Sequence, residues 1–173
     1  MYLNCHSFHS LRYGTIPLSE LVSLAVANNV KALALTDINT VTGIYDFTKE
    51  CLEKGIKPLV GIDFRNNSGK LLYIGLATNQ AGISEMCRFV TKHNFDDTPK
   101  PNHAPDFKNV IVIYPQDNVP SILKDYEYIG IRPEQLTSLV QKGWKDKIDR
   151  MVALSPVTFN RKKNSTFIKY CGL

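Results

Sequence analysis

With 173 residues, 43% of them hydrophobic, the chain suits one domain around one continuous core. Its composition excludes a disordered, collagenous or coiled-coil chain. The net charge of +5 is compatible with nucleic acid nearby, but the basic residues are dispersed. Their one tight cluster, Arg161-Lys162-Lys163, reads as the solvated start of a terminal helix. The cysteines Cys5, Cys51, Cys87 and Cys171 form no CxxC pair, which argues against a zinc ribbon or a disulfide framework and for reduced thiols in a cytoplasmic protein. Residues 1–15 lack a basic segment followed by a long apolar one, and runs such as Val110–Tyr114 fall far short of the roughly 20 residues that cross a bilayer, so no membrane partner is expected.

In chain order, Tyr2–His6 reads as a first strand. Leu18, Leu21, Val22 and Ala25 recur at helical spacing over Leu18–Asn29, behind Pro17-Leu18-Ser19-Glu20, which suits a helix start. Lys31–Thr36 reads as a strand buried on both faces. Val41–Lys54 is expected as a helix closed by Gly55. Lys57–Phe64 and Leu71–Ala77 are strands joined by the polar turn Asn66-Asn67-Ser68-Gly69, hence a hairpin. Gln80–His93 follows as a helix, and Asn94–Asp106, with Pro99, Pro101 and Pro105, as a loop. Asn109–Tyr114 and Asp125–Ile131 are further strands, then a helix from Pro133, a strand at Met151–Leu154, and a last short helix at Lys162–Tyr170. Seven strands with helices between most of them predict an α/β fold with a largely parallel sheet, in one domain spanning 1–173.

Sites on such folds form where strands end and loops begin. His6 follows the first strand and Asp37 the second, while Asp63 lies at the end of the third. One imidazole and two carboxylates are thereby expected at one mouth, a donor set suited to zinc, manganese or iron but too small for a two-metal hydrolytic centre. Plainer roles compete: Asp37 capping the helix after it, and His6 donating to a backbone carbonyl. His9 completes an HxxH, but beside a strand the two rings need not share a face. His93 and His103 fall away from the mouth. No GxGxxG, P-loop, HExxH or GxSxG is present.

His6-Ser7-x-x-Ser10-Leu11-x-x-Gly14, Ala32-Leu33-Ala34-Leu35-Thr36-Asp37 and Gly55-Ile56-Lys57-Pro58-Leu59-Val60-Gly61 together resemble the PHP domain, named for polymerases and histidinol phosphatases. The wording is that of the domain at the start of bacterial DNA polymerase III alpha subunits, strongest over residues 2–90. The resemblance implies a distorted barrel of seven parallel-type strands, with a cluster of His, Asp and Glu at its mouth that binds metal in active members. This chain departs from that pattern. Asn4-Cys5-His6 stands where the family has HxH, Ile38 where TDH has its histidine, Asp63 where it has glutamate, and Pro156 and Thr158 where a late Asp-x-His falls. The site is therefore expected to be vestigial and without catalytic residues or cofactor; if a metal does bind, the ligands would be His6, Asp37 and Asp63, for zinc, manganese or iron. The implied role is a structural module in DNA replication, packed against the remainder of the alpha subunit, with a proofreading subunit as a further partner and DNA reached through the full polymerase. The alternative is a metal-dependent phosphoesterase or exonuclease with a reduced site.

Overall fold

The computed structural model describes residues 1–136 and 144–158. Seven strands appear in chain order: β1 (Tyr2–Cys5), β2 (Ala32–Leu35), β3 (Lys57–Arg65), β4 (Leu71–Ala77), β5 (Val110–Pro115), β6 (Glu127–Ile131) and β7 (Met151–Ala153). Three helices lie between them: α1 (Leu18–Ala27), α2 (Ile44–Glu53) and α3 (Gln80–Phe95). All seven strands join one sheet in the order β1-β2-β3-β4-β5-β6-β7. The sheet curls into a half-barrel. Its first strand meets the segment after β7 through a parallel bridge between Cys5 and Val157, with His6 N donating to Val157 O at 2.8 Å.

Strand alternation sorts the side chains into layers. Leu33 and Leu35 of β2 face outward onto α1 and α2, with Leu21, Val22, Phe47 and Cys51, whereas Ala34 faces the concave side. On β5, Val110, Val112 and Tyr114 join Phe64, Met86 and Val90 in the outer layer beside α3, while Ile113 joins Ile74, Leu76 and Leu154 inside. β1 carries a bulge: Tyr2 pairs with Leu33 and Cys5 with Leu35, three steps against two. The extra residue lets Tyr2 and Cys5 both face outward and turns His6 to the inner side.

Two departures from the sequence reading concern direction and boundaries. The hairpin expected between β3 and β4 is present, with β4 antiparallel to β3, but β4 also runs antiparallel to β5, which a barrel of parallel-type strands does not include. The turn between β3 and β4 is far shorter than the dozen or more residues that a parallel crossover needs. Within it, Asn66 Oδ1 accepts from Ser68 N at 3.1 Å and Lys70 N at 2.9 Å, and Gly69 sits at a φ of 81° that favours glycine. Helix α2 starts at Ile44 instead of Val41, since Thr40 Oγ1 accepts from Thr42 N and ties those residues into a local turn. After β6 the chain turns helical at Pro133, as expected, opening with a 3-10 turn over Pro133–Gln135, and a 3-10 segment, Trp144–Arg150, precedes β7. The Arg161-Lys162-Lys163 cluster and the Lys162–Tyr170 helix lie outside the described residues.

Helix α3 is capped by Asn79, whose side chain accepts from Gly82 N at 3.1 Å. Gly82 is where the helix touches the start of β5: a Cβ there would stand 2.0 Å from the carbonyl oxygen of Asn109. Gly82→Ala should therefore push α3 off the sheet, costing about 1–3 kcal/mol. Thermal melting checks this, with a fall of about 2–4 °C expected per kcal/mol in a chain of this size. An unchanged melting temperature would mean that the helix shifts freely.

Candidate functional site

The carboxyl ends of β1, β2 and β3 meet at one mouth. β3 runs past β2 here, so the segment after β2 continues the pairing: Ile38 bridges to Asp63, Asp63 N donates to Asp37 O at 3.2 Å and Asn39 N to Asp63 O at 3.0 Å. Ile38 is thus placed beside Asp63 at the strand ends.

Asp37 is buried and faces the loop that follows β1. Its Oδ1 accepts from Ser7 N at 2.7 Å and Ser10 Oγ at 2.6 Å, and its Oδ2 from Ser7 Oγ at 2.7 Å. Ser10 Oγ in turn accepts from Ile38 N at 3.0 Å. The carboxylate therefore caps no helix; it folds residues 7–14 into a compact turn. Gly14 belongs to that turn because its chain passes so close to Ser7 that a Cβ would lie 1.9 Å from the Ser7 carbonyl oxygen.

Asp63 is fully buried and has different partners. Arg65 meets it with both prongs, Nε to Oδ1 and Nη2 to Oδ2, each at 2.9 Å. His6 Nε2 lies 2.8 Å from Oδ2. The guanidinium also stacks 4.2 Å above the Tyr13 ring, which meets His6 edge-on at 4.9 Å. Arg65 is held by its backbone as well. Asn39 Oδ1 accepts from Arg65 N and Asn39 Nδ2 donates to Arg65 O, both at 3.0 Å. Asn39 does this from a φ of 52°, a conformation asparagine tolerates better than most residues. Burial would pull the Arg65 guanidinium down, but the hydrogen bond and charge of Asp63 outweigh it and raise it further above its already high ordinary value. It is a permanent cation.

These residues do not fit a bound metal. Zinc and its relatives need three or four converging donors. Both Asp63 oxygens and His6 Nε2 are engaged with protein groups, and both Asp37 oxygens accept from the loop. Among the described residues at the mouth, His6 Nδ1 is buried without a hydrogen-bond partner. Among the described residues no three His, Cys, Asp or Glu side chains converge as a metal site requires.

The remaining sequence candidates scatter around this cluster. Asn4 is buried and accepts from Thr36 Oγ1 at 3.2 Å. Pro156 and Thr158 flank Val157 on the segment that bridges to β1, and Thr158 O accepts from Thr15 N at 3.0 Å. His9 stacks on Phe8 with ring centroids 4.2 Å apart and abuts Gly43 ahead of α2. His93 closes α3, and His103 lies edge-on to Tyr114.

Sequence reasoning missed Arg65, Tyr13 and Asn39. The signal for Arg65 was present: Asp63 and Arg65 are two apart on a strand, so their side chains share a face. For Tyr13 and Asn39 no such local signal exists, because their contacts depend on how two loops fold over the mouth.

Removing the loop's anchor should expose it. Asp37→Ala leaves one amide and two hydroxyls without their acceptor, at a cost of about 3 kcal/mol. Trypsin should then cut after Arg12 faster than in the wild type. An unchanged rate would mean that the turn holds itself.

Comparison with known proteins places this geometry. Residues 3–132 match the PHP domain. DNA polymerase III subunit alpha of Staphylococcus aureus is 33% identical over 87 residues, which cover 49% of this chain and 8% of that protein. An error-prone DNA polymerase of Symbiobacterium thermophilum is 32% identical over 100 residues, 58% of this chain and 9% of that one. The chain therefore spans about a tenth of the length of these relatives. In fold it is similar to a Bifidobacterium adolescentis protein assigned as a metal-dependent phosphoesterase, with a TM-score of 0.54, 13% identity, and coverage of 95% of this chain and 89% of the other. That likeness concerns the fold, whereas the family match spans well over half of the sequence: the chain belongs to the PHP domain family.

Proposed function

We propose that this PHP domain serves as a structural and interaction module of a replicative DNA polymerase alpha subunit, in a bacterial cytoplasm and without catalysis of its own. The observation that carries the reading is the state of Asp63. Its oxygens are taken by Arg65 and His6 and are not free to fix a cation that would activate water. A single imidazole acting as general base is worth about a hundredfold to ten-thousandfold. Enzymes typically supply about a millionfold or more.

The relatives named as polymerases support the larger setting. A cleft of about 640 Å³ on the concave side, lined by Leu3, Leu59, Leu76, Ile111, Tyr128 and Val152 among others, suits packing against the remainder of an alpha subunit. A proofreading subunit is a further candidate partner, and DNA would be reached through the full polymerase. No described helix is long and apolar enough to cross a membrane.

Metal content and turnover test the reading together. The purified chain should contain well under one equivalent of zinc, manganese or iron by mass spectrometry, and a chelator should leave its melting temperature unchanged. It should hydrolyse neither an aryl phosphate nor single-stranded DNA when manganese or zinc is added. Metal-dependent turnover that disappears in His6→Ala would overturn the proposal in favour of a phosphoesterase with a reduced site.

A further inference from the structure

Asp63 raises a problem that the loss of metal ligands leaves open. It is fully buried, and an isolated carboxylate in that setting is strongly disfavoured. In a metal-bearing mouth the ion itself would balance such a charge. Here the balance comes from the chain, two residues along the same strand.

We propose that the Arg65 guanidinium is a built-in replacement for a metal ion: it neutralises Asp63, gathers His6 and Tyr13, and bars divalent cations from the mouth. This rests on the reading of the mouth as metal-free and deepens it. The geometry supports the role in three ways. The contact is two-pronged, so both carboxylate oxygens are engaged, as a chelated ion would engage them. The guanidinium is stacked on Tyr13 and largely buried, with 13% of its side chain exposed, so it is not a solvated surface arginine that happens to lie near an acid. Its backbone is clamped on both sides by Asn39, the second residue after Asp37, so the segment that would carry the family's metal-binding histidine holds the arginine in place. His6 Nδ1, buried without a partner, is what remains of the displaced coordination shell.

The experiment is a two-residue cycle in the full chain, read by thermal melting with and without millimolar zinc or manganese. Arg65→Met keeps much of the apolar stem but leaves Asp63 unpaired, so the melting temperature should fall by about 5–15 °C. Zinc or manganese should restore about 2–5 °C of that loss, because Asp63 Oδ1 and Oδ2, freed of Arg65, and His6 Nε2 then offer three donor atoms to an ion in the folded state alone. Adding Asp63→Asn removes the charge that needed balancing. The double variant should recover at least half of the loss and no longer respond to either metal. The wild type should respond to neither. Should Arg65→Met fail to fold, the double variant decides, since on this account it folds.

Four results would overturn the inference: Arg65→Met melting like the wild type, Arg65→Met gaining no metal response, losses that simply add in the double variant, or a double variant that does not fold. Stoichiometric metal in the wild type would sink both this inference and the functional reading. Failure of the cycle in a wild type that carries no metal sinks the inference alone.

Discussion

A charged carboxylate with no exposure to water is the constraint around which the mouth of this domain is organised. Asp63 sits on the concave face of β3, and everything nearby can be understood as a response to it. Arg65 supplies the opposite charge, His6 a third polar contact, and Tyr13 covers the guanidinium. Pairs of this kind are seldom net stabilisers, because the desolvation of both ions offsets most of their attraction. Their effect is on geometry: a two-pronged contact has one good arrangement, and breaking one side of it costs about 3–5 kcal/mol. The contact therefore fixes how the side chains at the mouth are arranged.

Asp37 solves the same problem by other means. It has no cation beside it and takes an amide and two hydroxyls instead, all from the loop it faces. The two acids thus divide the labour: one fixes the loop after β1, the other fixes the end of β3. A divalent ion held by both acids would need them to turn toward a common point. Each is committed elsewhere, and Ile38 lies beside Asp63 with an apolar side chain that offers no ligand.

Much of the fold was legible because it rests on short-range patterns. The apolar run Val110–Tyr114, the buried run Leu33-Ala34-Leu35 and the polar turn at Asn66–Gly69 each identify their element from a few residues. The reversal of β4 followed from the short turn before it, although the expected parallel barrel concealed the consequence for β5. Helix α2 came out shorter because the Thr40 hydroxyl takes the Thr42 N–H into a local turn ahead of it. At the site, the strand-end rule put His6, Asp37 and Asp63 at one mouth but could not say where their side chains would point. Only the chain's own donors decide that. Arg65 was readable from its i, i+2 spacing to Asp63, whereas Tyr13 and Asn39 meet it through loop geometry that no periodicity encodes.

The account stands on one claim, that the cation of this mouth is carried by the chain. Crystals grown with manganese or zinc, with diffraction recorded at the metal's absorption edge, test it most directly. The account predicts density for the Arg65 guanidinium against both oxygens of Asp63 and no anomalous peak within the mouth. An anomalous peak ligated by Asp63 and His6, with Arg65 swung away from it, would contradict it.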